Sequence, residues 1–162
     1  MVFWSPSEDT VGGHGLHDYM AMPWPKGVSD GKDYWPAVAR RHWKQAHSNL
    51  NNNNYDATAL MARSALQAIT RDKQATGNNL YEEIESLAAS GVLSPTIREW
   101  SHEIRLLGNP VAHPHPDDEE TRPEDAEDIV KFLDFLLEYL YDLPKQIEDY
   151  RTRRDPANET ES

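Results

Sequence analysis

Apolar residues recur at helical spacing along most of the chain from residue 36 onward. Ala39, Trp43, Ala46 and Leu50 stand at i, i+4, i+7 and i+11, which is the spacing of one helix face. Four further stripes follow: Ala59, Ala62, Leu66 and Ile69; Leu80, Ile84, Leu87 and Ala88; Ile97, Trp100, Ile104 and Leu107; Ile129, Phe132, Leu133, Leu136 and Leu140. No window alternates apolar and polar residues with the period of a strand. The pattern predicts an all-α bundle of about five helices.

Residues that end or start helices separate these stripes. Gly77-Asn78-Asn79 ends the second predicted helix, and Ser94-Pro95 begins the fourth, since serine caps helices and proline suits the first turn. Gly108-Asn109-Pro110 predicts the end of the fourth helix, with Asn109 capping a new turn. Pro144 is predicted to interrupt the fifth helix, and residues 145–154 are predicted to form a further short helix.

The first 35 residues differ in composition from the rest. They hold three prolines, five glycines and the tryptophans Trp4, Trp24 and Trp35. Prolines and glycines disfavour a long helix, whereas tryptophans gain most from burial. We therefore expect residues 1–35 to form an extended arm docked on a bundle of residues 36–150, with a disordered tail at 151–162. The alternative is a disordered N-terminal tail that carries an exposed apolar patch.

Length and cysteine content narrow the class of protein. A chain of 162 residues indicates one domain with a sizeable core. The absence of cysteine excludes disulfides, thiolate metal sites and a cysteine nucleophile, and fits a cytoplasmic location. No apolar stretch approaches 18 residues and the N-terminus has no secretory-signal pattern. We expect neither a membrane span nor a bound cofactor.

Charge is high and unevenly distributed. The net charge of −12 disfavours non-specific binding to nucleic acid. Residues 117–128 carry eight acids against Arg122 alone, whereas residues 36–73 carry six bases against two acids. A basic face within residues 36–73 therefore keeps RNA possible as a partner.

The stretch IRLLGNPVAHPHPDDEE, residues 104–120, places Arg105, Asn109 and His113 close together at the predicted corner. One interpretation is structural: Asn109 caps, His113 bonds a neighbouring helix, and Arg105 bridges acids on the next helix. A metal site at His113, His115 and Asp117 is disfavoured, because the alternating prolines stiffen the segment and no distant ligand is evident.

The order of these features resembles the domain-of-unknown-function 4145 family. The resemblance covers roughly residues 37–147, and its most specific parts are GNNLYEEIESLAASGVL and IRLLGNPVAH. The family in turn resembles the HEPN superfamily of helical bundles, which implies a HEPN-like bundle here. It occurs in prokaryotes and phages, alone or attached to defence proteins.

The HEPN resemblance also implies a chemistry and a set of catalytic residues. Active members are metal-independent ribonucleases in which an arginine, a polar residue and a histidine from two protomers face each other across a dimer. Transferred to this chain, His113 is the acid–base, Asn109 the polar partner and Arg105 the phosphate clamp. In this sequence Gly108 occupies the position directly before Asn109, where that pattern has its arginine, and seven residues separate Arg105 from His113.

The sequence therefore favours a small interaction module without demonstrated catalysis, in prokaryotic or phage defence or nucleic-acid biology, with a protein or RNA partner. Two alternatives remain: a toxin-like metal-independent ribonuclease acting as a dimer, and a purely structural homodimer. A homodimer through the helix from Asp125 to Tyr141 is expected, because apolar residues surround more of that helix than one core contact needs.

Overall fold

The computed structural model describes residues 29–155 of the chain. Most of the predicted arm, including Trp4 and Trp24, and the end of the predicted tail lie outside these residues. Within them the chain is all-α, without strands. The helices are α1 (Ala37–Asn51), α2 (Tyr55–Asp72), α3 (Leu80–Ala89), α4 (Pro95–Ala112), α5 (Pro123–Leu137), a π-helical turn (Glu138–Asp142) and α6 (Leu143–Arg154).

The apolar stripes meet in one core, which confirms the predicted bundle. Helix α2 is central, because it packs against α1, α3, α4 and α5. Its contact face is rich in alanine, which lets the neighbouring helices approach closely. Seven large side chains are almost fully enclosed: Leu66, Ile69, Ile84, Ile104, Leu133, Leu136 and Leu137.

Two helix starts are capped by side chains, and the cap at Ser94 was predicted. The side chain of Asn79 accepts from the backbone N–H of Glu82 at the start of α3. The Ser94 hydroxyl accepts from the N–H of Ile97 at the start of α4. These bonds satisfy N–H groups that have no partner inside a helix.

The fourth helix does not end at Gly108, so that prediction is wrong. Helix α4 continues through Asn109 and Pro110 to Ala112, and His113 is its C-cap residue. Proline removes one intrahelical hydrogen bond, and here that loss falls in the last turn, where the His113 N–H still donates to the Asn109 carbonyl at 2.8 Å. Arg105 and Asn109 therefore stand one turn apart on the same helix.

The fifth helix is longer than predicted, because Pro144 does not interrupt it. The backbone is helical at Leu137, Glu138, Asp142 and Leu143, so α5, the π turn and α6 form one continuous rod, here called the long helix (Pro123–Arg154). The carbonyl of Leu140, whose normal partner would be the missing N–H of Pro144, accepts from the Lys73 ammonium at 3.3 Å. The rod extends four residues into the predicted tail, to Arg154.

Trp35, at the end of the predicted arm, is anchored on the long helix. Its side chain is buried and meets the Trp43 ring edge-on, with ring centroids 5.1 Å apart. Its indole N–H donates to Asp142 Oδ1 at 2.6 Å, and the Tyr34 hydroxyl donates to the same oxygen at 3.0 Å. The contact joins the start of the bundle to the π turn.

Across residues 29–155, every helix is too short or too polar to cross a membrane.

Candidate functional site

The site is built where α2 and α4 cross at Gly108. A Cβ added there would lie 2.5 Å from Arg63 Cβ and 2.8 Å from the carbonyl oxygen of Ala59, so only glycine allows this approach. The crossing brings Arg63 to Asn109, although the two residues are 46 positions apart. The Arg63 Nε–H donates to Asn109 Oδ1 at 3.1 Å. Asn109 thus orients a guanidinium that belongs to another helix.

Arg105 lies one turn before Asn109 and packs against side chains of α3 and α4. Its guanidinium carbon is 5.4 Å from the centre of the Tyr81 ring, and its Nε–H donates to His102 Nδ1 at 3.3 Å. The rings of Tyr81 and His102 are 5.0 Å apart. Tyr81 is 49 % exposed. Arg63, Arg105, Asn109, Tyr81 and His102 are called the arginine cluster below.

His102 is held in one orientation between two partners. Because the Arg105 N–H donates to Nδ1, that nitrogen accepts, and the neutral ring carries its proton on Nε2. Nε2 lies 2.6 Å from Glu85 Oε1 and donates to it. With both ring nitrogens engaged, His102 positions Arg105 rather than offering a free nitrogen to a ligand.

Glu85 joins α3 to α4 and neutralises the far side of the cluster. Its two oxygens accept from Arg98 at 2.8 and 2.9 Å. Arg98, and then His102, lower the pKa of Glu85 from 4.5 to about 2. The carboxylate therefore stays charged throughout the neutral and mildly acidic range, where it holds both partners.

We expect Glu85→Gln to lower the melting temperature at pH 7, and the difference from the parent to shrink as the pH falls from 5 to 2. The folded pKa lies below the unfolded value, so the stabilisation is complete above about pH 4.5 and disappears as the pH falls through the folded pKa. Melting curves across this range measure it. Glu99→Gln, on α4, is the control, because Glu99 is exposed. A deficit in Glu85→Gln that persists unchanged at pH 2 would contradict the assignment.

The positive charges of Arg63 and Arg105 have no carboxylate partner within residues 29–155. Burial lowers the pKa of Arg63, and the nearby charge of Arg105 lowers it further. Two like charges side by side, one of them partly buried, destabilise the folded state unless an anion joins them. The arrangement is suited to a phosphate or a carboxylate, which a guanidinium binds with two parallel hydrogen bonds.

The three residues transferred from the resemblance are only partly brought together. Arg105 and Asn109 lie on one face of α4, and His113 follows one turn later at its end, where its backbone N–H donates to the Asn109 carbonyl. The His113 side chain is exposed and makes no hydrogen bond or ion pair within the described residues. The structural interpretation of His113 and Arg105 is therefore wrong, since neither side chain bonds the helix that was expected to hold it.

Only Arg63, of the six bases in residues 36–73, reaches the corner. Arg40 pairs with Asp33, Lys44 pairs with Asp30, and Lys73 lies over the Tyr141 ring.

The acidic segment after α4 folds onto itself and onto α2. The Asp118 carboxylate accepts from the N–H of His115 at 2.6 Å, and Asp56 accepts from the N–H of Thr121 at 2.8 Å. Among residues 29–155, no three side chains of ligand type are placed to hold a metal ion.

Sequence reasoning missed Arg63, Tyr81 and His102 as members of the site. Arg63 was visible only as one base in a basic segment, and Tyr81 only as an aromatic residue between apolar positions. To find them, one would need to know which residues of α2 and α3 face the IRLLGN stretch. That depends on how these two helices dock on α4.

The comparisons with known proteins support the family resemblance. The family model described as "Domain of unknown function (DUF4145)" matches residues 44–153. No curated protein matches the chain, and no solved structure matches it.

Proposed function

The chain belongs to the domain-of-unknown-function 4145 family, and we propose that it is a HEPN-like interaction module that binds a phosphate-bearing partner through the arginine cluster. The observation that carries the proposal is the pair Arg63 and Arg105, two neighbouring guanidinium groups without a carboxylate partner in the described residues. An anion bound between them would offset both the desolvation of Arg63 and the repulsion between the two charges.

Short single-stranded RNA is the partner class that the cluster fits best. The exposed ring of Tyr81 beside Arg105 offers a surface on which a base can stack. The two arginines suit one or two backbone phosphates. The net charge of −12 repels longer polyanions, so the contact is short and local. Such a module belongs to prokaryotic or phage nucleic-acid biology.

The test is binding of a fluorescein-labelled single-stranded RNA hexamer, followed by fluorescence polarisation in EDTA. Loss of one charge-assisted contact costs about 1.5–3 kcal/mol, so Arg63→Gln and Arg105→Gln are each expected to weaken binding by about 10-fold or more. Two phosphate contacts on a single strand predict a slope of about −1.4 for log affinity against log salt.

Arg41→Gln is the matched control, because Arg41 is an exposed arginine on α1 outside the cluster. It removes the same charge from the whole protein. Equal affinities for RNA in all three variants would overturn the proposal. So would tighter binding of a hexaglutamate peptide than of RNA, because the phosphate would then not be the recognised group.

A metal-independent ribonuclease is the second candidate, and the continuity of α4 favours it. Because the helix is unbroken, Arg105, Asn109 and His113 follow one another at i, i+4 and i+8. Within residues 29–155 the exposed His113 ring makes no hydrogen bond, which suits a group that transfers protons. The same RNA incubated in EDTA and resolved on a gel tests this activity. Cleavage by the parent that is lost in a His113→Ala variant of unchanged melting temperature would establish the ribonuclease. If the RNA stays intact, the ribonuclease is excluded and the RNA-binding module remains as the proposal.

A further inference from the structure

The hydrogen bond between Arg105 and His102 occupies a donor that a phosphate can use. A guanidinium binds a phosphate most strongly through two parallel N–H bonds, and the Nε–H belongs to one edge of that fork. In the structure the Arg105 Nε–H donates to His102 Nδ1 at 3.3 Å. The rings of Tyr81 and His102 lie 5.0 Å apart, so a nucleotide stacked on Tyr81 has its phosphate near this edge. A phosphate that takes the Nε–H breaks the bond to His102.

Breaking that bond leaves His102 Nδ1 in need of a new partner. The His102 side chain is only 14 % exposed, so solvent satisfies it poorly. Its other nitrogen, Nε2, remains bonded to Glu85 Oε1 at 2.6 Å. A largely enclosed acceptor that loses its donor destabilises the complex, unless Nδ1 binds a proton and becomes a donor itself.

The charges around His102 decide when such a proton binds. Charged and titratable groups from three helices face the ring or its partners: Glu85 and Tyr81 of α3, Arg98 and Arg105 of α4, and Arg63 of α2 beside Arg105. The Glu85 carboxylate favours the charged ring, whereas the arginines oppose it. A phosphate on the arginine cluster offsets the positive charges, so it shifts the balance towards protonated His102.

Resting on the RNA-binding function proposed above, we propose that RNA binding at the arginine cluster is coupled to the uptake of one proton by His102. The phosphate accepts the Nε–H of Arg105, and a proton from the solvent binds to the Nδ1 atom that this N–H leaves. The imidazolium keeps its Nε2–H bond to Glu85 and places a further positive charge beside the phosphate. His102 is thus part of the phosphate site in the bound state, and acidification strengthens RNA binding.

The coupling gives the RNA affinity a defined dependence on pH. A ligand whose binding takes up one proton binds more tightly as the pH falls, by at most about 10-fold per pH unit. An opposite charge near a titratable group favours its charged form by about 1–3 pH units. We therefore expect RNA affinity to be about 10-fold higher at about pH 5.5 than at about pH 8, which span the range where histidine titrates.

Isothermal titration calorimetry counts the protons directly. The protein is titrated with a uridine hexamer, whose bases and phosphodiesters take up no proton near neutral pH, in buffers of different ionisation enthalpy at about pH 6.5. The slope of the observed enthalpy against the buffer enthalpy gives the number of protons, and we expect a net uptake. RNA binding without proton uptake would overturn the coupling and leave the RNA site standing. No RNA binding at any pH would instead contradict the proposed function itself.

His102→Gln identifies the group that takes up the proton. A glutamine amide can accept from Arg105 and donate to Glu85, but it does not titrate. This variant is expected to bind RNA with no proton uptake and with an affinity that does not change between about pH 5.5 and 8. His115→Gln is the matched control, because His115 is exposed and lies outside the arginine cluster; it should keep the uptake of the parent. Uptake by His102→Gln equal to that of the parent would overturn the assignment to His102.

Nitrogen-15 resonances of the histidine side chains locate the proton in the parent, so this test does not depend on the folding of a variant. In the free protein the His102 Nδ1 resonance is expected to be that of an unprotonated ring nitrogen. Adding the uridine hexamer at constant pH should move it towards the protonated position. An Nδ1 resonance that stays unprotonated at saturating RNA would contradict the proposal.

Discussion

Replacing Gly108 with alanine is expected to destabilise the protein by about 1–3 kcal/mol, the usual cost of an added group in a packed contact. The new Cβ would lie 2.8 Å from the backbone oxygen of Ala59, which cannot move without shifting α2. It would also lie 2.5 Å from Arg63 Cβ and displace that side chain from Asn109. Urea unfolding measures the stability, and RNA polarisation measures the accompanying loss of affinity.

The sign of the stability change in Gly108→Ala is informative, because helix propensity alone predicts that alanine stabilises the helix. Alanine in a helix interior is favoured over glycine by about 1 kcal/mol. The pair Glu99→Ala and Glu99→Gly measures that propensity term at an exposed position of α4, where no close contact opposes it. A Gly108→Ala variant that is more stable than the parent would show that the two helices do not approach as described.

Replacing Trp35 with alanine is expected to lower the free energy of unfolding by about 3–5 kcal/mol, as for other buried tryptophans. The substitution removes the edge contact with Trp43 and the hydrogen bond to Asp142. It also opens a cavity between the start of α1 and the π turn. Chemical denaturation followed by circular dichroism gives the value.

Two milder variants separate the contributions at Trp35. Trp35→Phe keeps an aromatic ring but removes the indole N–H, so its loss should be clearly smaller than that of Trp35→Ala. Tyr34→Phe removes only an exposed hydrogen bond to Asp142, for which about 1 kcal/mol or less is expected. A loss below 1 kcal/mol in Trp35→Ala would mean that this end of the predicted arm is not anchored on the bundle.

The helices were predictable from sequence because each has a complete apolar stripe, and two have standard caps at Asn79 and Ser94. The breaks predicted at Gly108 and Pro144 were wrong for a common reason. Both rested on local backbone preference, which other contacts override at each position. At Gly108 the neighbouring α2 requires the glycine, and near Pro144 the Lys73 ammonium satisfies the Leu140 carbonyl.

The site was less predictable than the fold because its members come from three helices. Arg105 and Asn109 were found in one short motif, but the residue that makes them a charged cluster is Arg63, which the motif does not contain. The approach of Arg63 to Arg105 and Asn109 depends on the angle and register at which α2 crosses α4. Neither is encoded in a pattern along one helix, since both result from the packing of the whole core.

The most direct measurement of the central claim is a titration of the arginine side-chain N–H resonances by nuclear magnetic resonance with the RNA hexamer. The Nε–H groups of Arg63 and Arg105 each donate to another side chain, which slows exchange with water and favours their detection. We predict saturable shifts of these two resonances, with Arg41 and Arg122 unchanged. Shifts confined to other arginines, or none at saturating RNA, would contradict a phosphate-binding arginine cluster.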